Sequence, residues 1–434
     1  MNANFVYKFI AAALIATAVP TVHNGNAINV AAPSVPMNAS PVAAYITADG
    51  VTDGQAAAEI VIRAEDKKFI YKDVKIYPSD FTVEQEISDR RINAPLDKKI
   101  ELVDVYLQNG ADHKTALGVC FPLLIKTVDD VARYVNADPL DSQVKYEGGK
   151  FYATKERVGK KLDENRLYGG IYYCLKFGGG GTVKASTVDV MPALTQKELS
   201  SRLVLRSEYK TDYTTSTAAR ANNVRLALSK FDGVCVQSGQ SVSFNGTVGA
   251  RTRENGFMSA KIIVDGKYTE GIGGGACQAS TAVYNAALLS GLQCTANAHS
   301  ICPSYCPPGL DAMISSNSDL VITNNSGYPV YFSVTNSGGI GKVRIYGAPR
   351  EYEVRPESVV VKTSVAEERE FVDIDKKYFG EEAVSGDRLM VSPGKDGCES
   401  VTYLKYYKNG SLVKRVKIRQ NIYKSTPRII AVAP

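Results

Sequence analysis

The string GIGGGACQASTAVYNAALLSG, Gly271 to Gly291, constrains the fold of this chain more than any other segment. Three consecutive glycines end a loop, and an alanine-rich segment of helical spacing follows at once. Ala279, Val283, Ala286 and Leu289 recur at three- and four-residue steps and Gly291 supplies a stop, so the spacing predicts a helix with an apolar stripe. Cys277 then falls in the first helical turn, where unpaired backbone N–H groups and the helix dipole favour an anion. That setting lowers a thiol pKa and yields the nucleophilic thiolate. Gly273, Gly274 and Gly275 admit a substrate carbonyl close to the main chain, and their N–H groups are candidate oxyanion donors. Gln278 and Ser280 are candidate donors to a bound carbonyl, and they suit capping or lining the helix start equally well. The pattern is that of a cysteine acyl-transfer site.

A thiolate of this kind needs a base, and the chain has only three histidines: His23, His113 and His299. His23 lies in a targeting segment and His113 in a different region from the glycine motif. His299 stands twenty-two positions beyond Cys277, so a helix, a turn and a returning strand bring it back beside the thiol. The plain alternative is a turn histidine satisfied by hydrogen bonds. Candidates to orient its ring are Asp311, in PPGLDA, and Asn297, while a backbone carbonyl serves equally well. Asp311 also reads as a turn residue bonding its own backbone.

Length allows two to four domains in 434 residues, and 44% apolar with 22% charged residues is ordinary for globular chains. A formal charge of +6, from 51 basic against 45 acidic residues with no concentrated run, excludes a nucleic-acid footprint and suits association with an anionic wall. Residues 1–27 read as a signal peptide, with Lys8 before the apolar run Phe9 to Val19 and a small-residue cleavage site at Gly25-Asn26-Ala27. That run is too short to span a bilayer, and no other apolar stretch approaches the necessary length. The expectation is therefore an exported chain without a membrane span in its mature form, an uncleaved anchor being the alternative. Eight cysteines in such a chain invite disulfides, yet they form no dense framework. Cys294, His299, Cys302 and Cys306 spell C-x4-H-x2-C-x3-C, a set of plausible zinc ligands at unfamiliar spacing. A local disulfide or free thiols are preferred there, so no metal or other cofactor is assigned.

The organisation predicted is multidomain α+β, because helices and strands segregate rather than alternate. Residues 28–57 form a flexible leader. Alternation suggests strands from Ala58 to about Val119, and Thr127 with Asp130 suggests the start of a short helix. A hairpin then leads to a helix beginning at Asp163, and Gly178 to Gly181 is a hinge or turn. A second unit begins near Tyr209 with a helix capped by Ser216 or Thr217, its stripe being Ala221, Val224, Leu228 and Phe231. Asn245-Gly246, Asn255-Gly256 and Asp265-Gly266 read as turns, and Asn409-Gly410 joins the two arms of a C-terminal hairpin. That last module is expected to be small, elongated and without an enclosed core.

The strings RANNVRLALSKFDG, SVSFNGTVGARTRENGFMSAKIIVDGK, GIGGGACQASTAVYNAALLSGL, His299-Ser300 and YCPPGLDAMI resemble a VanW-family domain over 209–347. The segment 351–434 resembles the G-five (G5) module of surface and wall-binding proteins, with Ala433 where glycine is usual. GKKLDENRL, within 58–195, resembles the peptidoglycan-binding region that often precedes VanW domains. These resemblances imply a secreted or wall-associated protein of a Gram-positive-type envelope, with peptidoglycan as partner. Family members assigned L,D-transpeptidase activity imply that Cys277 and His299 are the nucleophile and base of a 3-3 cross-linking enzyme, to which the residue reading adds Asp311 as the third catalytic candidate. The alternatives are a cysteine amidase or peptidase, and a non-catalytic peptidoglycan-binding or glycopeptide-resistance accessory protein. TANAHS and the cysteines at 302 and 306 depart from the family pattern around the base.

Overall fold

The computed structural model describes residues 46–47, 58–73, 90–264, 267–380 and 382–434. The signal peptide, the leader except 46–47, and the Asp265-Gly266 turn lie outside the described residues. The chain divides into two compact units, 1–127 with 164–184, and 128–163 with 185–434. It mixes helices and several sheets in an α+β arrangement.

In the first unit a four-stranded sheet runs in the order Ile46–Thr47, Gly181–Lys184, Glu59–Ala64, Lys67–Lys72. Ile60, Ile62 and Ala64 are buried while Arg63 faces water, the period of two that the alternation predicted. The strand pattern does not continue to Val119, because Leu96–Gln108 and His113–Gly118 are helices. Leucine, lysine and glutamate in LDKKIELVDVYLQ favour helix over the scattered β-branched residues. Asp112 caps the second helix, accepting from the Thr115 N–H at 2.7 Å.

Helix Pro122–Val135 begins earlier than Thr127, with proline suited to the first helical turn. Thr127 is thus interior, its hydroxyl donating to the Leu123 carbonyl at 2.9 Å. The predicted helix after Asp163 is Glu164–Gly178, followed by the glycine turn.

The second unit is built on an antiparallel sheet in the order Cys235–Val236, Val330–Ser337, Ile340–Gly347, Val204–Asp212. Along Ile340–Gly347 alternate residues are buried, including Val343 and Ile345. Helices Ala218–Ser229 and Ala276–Leu289 share the core with them. Thr217 caps the first, accepting from the Arg220 N–H at 3.4 Å.

The second helix differs from its predicted stripe: Ala276 and every residue from Gln278 to Leu288 are buried. A helix covered on all faces is a central core element, and its alanines let neighbours approach closely. Each large apolar side chain buried there, such as Val283 or Leu288, contributes about 1.5–3 kcal/mol. Asn245-Gly246 is not a hairpin turn but part of a short helix, Phe244–Val248, capped by Ser243.

Strands Glu353–Ser364, Gly397–Lys408 and Ser411–Tyr423 form one C-terminal sheet, and Glu368–Val372, Arg428–Val432 and Arg388–Ser392 another. Asn409 and Gly410, at φ 51° and 81°, make the predicted hairpin turn. Val354 and Leu404 of this module join the same buried cluster as the cysteine helix. The module therefore shares a core with the domain before it.

Candidate functional site

Gly275 ends the glycine loop in the left-handed region, at φ 106°, and is the residue that precedes the helix. A Cβ there would lie 2.9 Å from Val224 Cγ2, and one on Gly274 would lie 2.6 Å from the Lys261 carbonyl oxygen. Glycine is required by conformation at one position and by space at both. Asn223, fully buried on the neighbouring helix, donates to the Met258 carbonyl at 2.8 Å and the Gly274 carbonyl at 2.9 Å, and accepts from the Met258 N–H. The turn that presents Cys277 is thereby tied down from outside the motif.

Polar residues on the otherwise apolar helix have a second task. Ser280 Oγ donates to the Ala312 carbonyl at 2.6 Å, Thr281 Oγ1 accepts from the Ala312 N–H at 3.0 Å, and Asn285 Nδ2 donates to the Leu310 carbonyl at 2.8 Å. Together they clamp the segment 310–314 to the helix. An antiparallel bridge pairs Asn297 with Met313. Two steps along that register, His299 falls opposite Asp311.

His299 Nδ1 lies 2.7 Å from Asp311 Oδ2, and the same oxygen accepts the His299 N–H at 2.8 Å. Asp311 is completely buried and His299 is 6% exposed. The imidazole also interacts with Cys277 closely enough that each shifts the other's titration, and Cys277 Sγ lies 3.5 Å from the Ile314 carbonyl oxygen.

The electrostatics follow from these contacts. Burial pushes the Cys277 thiol up, but the hydrogen bond and charge of His299, a backbone hydrogen bond at Ile314 and the charge of Arg251 outweigh it and hold the thiol below its ordinary value. Burial pulls His299 down, yet its hydrogen bonds to Asp311 and Cys277 and their negative charges raise it to about 9. Asp311 is likewise raised by burial but lowered overall by donors from His299 and Tyr423. A thiolate–imidazolium pair beside a carboxylate is the state these shifts favour.

Arg419 Nη2 donates to Asp311 Oδ1 at 2.9 Å and to the Asp311 carbonyl at 2.8 Å, and Tyr423 donates its hydroxyl to Oδ1 at 2.6 Å. Sequence reading missed both, along with Arg251, Asn223 and Asn285. A buried asparagine inside an alanine-rich helix is the one signal that pointed to such a clamp. Tyr305 stands edge-on to the His299 ring, with centroids 6.4 Å apart.

Of the other candidates, Asn297 donates to Ser318 Oγ rather than to the histidine. Gln278 Nε2 donates to Thr211 Oγ1 at 2.9 Å and to the Asp212 carbonyl at 2.7 Å. Ser280 is fully buried, its hydroxyl donating into the clamp. Both side chains secure the helix through these bonds, the lining role the sequence allowed equally with donation to a substrate carbonyl. All eight thiols are unpaired, and among the described residues no cluster of His, Cys, Asp and Glu is arranged to hold a metal.

The fold and its site define a modular α+β protein in which a half-buried cysteine lies beside a buried histidine–aspartate pair. The chain carries a domain matching the family of VanW-like proteins over residues 219–346, followed by a G5 domain over 357–433. It is 31% identical over 196 residues to YoaR of Bacillus subtilis, described as an uncharacterized protein, a match spanning 44% of this chain and 64% of that relative. The solved structure of HP0197-G5 is 14% identical, with 19% of this chain and 99% of that one covered and a TM-score of 0.12. The IgA1 protease G5 domain is 16% identical, with 20% and 98% covered and a TM-score of 0.13. The VanW-like and G5 pair points to a cell-wall-associated function. No helix among the described residues is long and apolar enough to cross a membrane.

Proposed function

We propose that this protein is a cell-envelope cysteine acyltransferase acting on peptidoglycan stem peptides in the manner of an L,D-transpeptidase. The observation that carries the reading is the line from Cys277 through His299 to Asp311, with the imidazole raised and the thiol lowered. The Cys277 thiolate attacks the carbonyl of the stem diaminoacid, and main-chain N–H groups at Gly274 and Gly275 face the developing oxyanion. The His299 imidazolium gives its proton to the departing D-residue nitrogen, leaving a thioester on Cys277. The amine of a neighbouring stem then attacks that thioester while His299 accepts its proton, which forms the cross-link and frees the thiolate. Water in place of the amine would make the same site a peptidase.

Incubation with a disaccharide-tetrapeptide, followed by mass spectrometry, tests the proposal. Cross-linked dimer from the wild type and none from Cys277→Ala is the expected result. Release of the terminal D-residue without dimer would establish hydrolysis instead. No product at all, with wall binding intact, would reduce the chain to a non-catalytic binding protein.

A further inference from the structure

We propose that the G5 module is a working part of the site, with Arg419 and Tyr423 as positioning residues for the aspartate. The inference rests on the acyl-transfer reading and extends it: the VanW-like domain holds a thiol and an imidazole, but the orientation of its base is completed from the module.

The Asp311 carboxylate is divided between the two domains. Oδ2 serves the His299 ring and N–H, whereas Oδ1 receives Tyr423 and Arg419 from strand Ser411–Tyr423. The same Tyr423 oxygen accepts the Gly309 N–H at 2.6 Å, so one phenol bridges both ends of the turn carrying the aspartate. Thr402 on the adjoining strand donates to the Gly309 carbonyl at 3.0 Å, and a Cβ on Gly309 would meet that hydroxyl at 2.3 Å. The turn lies flat on the module's sheet because glycine allows the approach.

A carboxylate with one oxygen unheld is free to rotate and carry the imidazole with it. With both oxygens engaged, the Nδ1 partner is fixed and the other ring nitrogen is aimed at the thiol. Arg419 supports this assignment in another way. Its guanidinium packs 5.4 Å from the Tyr284 ring centroid, and its Nε and Nη1 are buried without protein partners. A desolvated cation with unmet donors is costly, and within the module nothing offsets it. Local rules are broken in this way where a site needs a residue. The polar faces of Ser400, Thr402, Arg419 and Tyr423 thus meet the 309–311 turn as a docking plate rather than as ordinary core.

Full-length Tyr423→Phe and Arg419→Gln test the inference, with Lys417→Ala on the same strand as a control. The pH dependence of iodoacetamide labelling at Cys277 is followed by mass spectrometry, beside cross-linking kinetics on disaccharide-tetrapeptide. Both variants should label at least ten-fold more slowly near pH 6.5, with the midpoint moved towards that of an ordinary thiol. The kcat should fall about ten- to a hundred-fold with KM held, and Arg419→Lys should recover part of the loss. Lys417→Ala should match the wild type. Unchanged labelling profiles in both variants would overturn the inference, even if their melting temperatures fell, because the residues would then be interface groups only. A wild-type thiol no more reactive than the others would instead overturn the acyl-transfer reading.

Discussion

Tyr423 and Asp311, 112 positions apart in the chain, are joined by a 2.6 Å hydrogen bond from the phenol to the carboxylate. The bond ties the last long strand of the G5 domain to the residue that faces His299. It makes Asp311 an inter-domain group, and the predictions below turn on how that buried charge is held.

Asp311→Asn should leave the fold recognisable and the reaction crippled. An amide carries no charge to hold the imidazolium, and its NH2 group would face either His299 or the Arg419 and Tyr423 donors. A rate loss on the order of a hundred- to ten-thousand-fold is expected, the range seen when a triad carboxylate is neutralised. The melting temperature should fall as well, since Arg419 loses its counter-charge in a buried setting. Steady-state kinetics and calorimetry on one preparation measure both.

The pH profile of turnover should have its alkaline limit near 9, where the His299 imidazolium loses its proton. The acid limit marks protonation of Cys277, below the ordinary thiol value. Stability behaves differently. The raised histidine contributes most below 6.5, its ordinary value, and loses its contribution as pH rises through about 9. The lowered thiol contributes fully above 9.0 and loses its contribution as pH falls through its folded value. Between 6.5 and 9 the two slopes offset, because the pair holds one proton in the folded and in the unfolded chain alike. Urea unfolding of the wild type should therefore be flat across that window, whereas Cys277→Ala, which keeps a histidine held up by Asp311 and lacks the opposing thiol, should lose stability as pH rises through it.

Much of this site was legible because its chemistry is local. The glycine turn, the thiol at the helix start and the scarcity of histidine all sit within a short stretch, and Asp311 follows a proline–glycine turn. Arg419 and Tyr423 were not legible, since their place depends on strand register and on how a β module lies against a loop. The stripe expected on the cysteine helix failed for a related reason. Periodicity finds one apolar face, but alanines on every side let this helix be buried all round. Leu96–Gln108 is a helix because its leucines, lysines and glutamate favour one, a local preference that the strand alternation upstream does not reveal.

Gly275→Ala should damage the site through the backbone. A φ of 106° strains any L-residue, and the new methyl would press on Val224 from 2.9 Å. A loss of about 1–3 kcal/mol in unfolding free energy is expected for the strained conformation alone. Relief of that strain would move the Cys277 N–H and thiol, so turnover should fall further than stability implies. Urea unfolding beside single-turnover acylation separates the two effects.

Gln278→Leu distinguishes a structural role from a substrate contact. The glutamine follows Cys277 directly, yet its amide nitrogen donates to Thr211 Oγ1 in the interior and to the part-buried Asp212 carbonyl. Replacing it with leucine leaves both acceptors unmet, at about 1–3 kcal/mol for groups that lose their partner in the core. The expected variant unfolds at lower urea and binds its stem peptide with an unaltered KM. A KM raised several-fold at wild-type stability would mean that the amide turns towards the ligand during reaction, and that the clamp between the helix and strand Val204–Asp212 opens in the working enzyme.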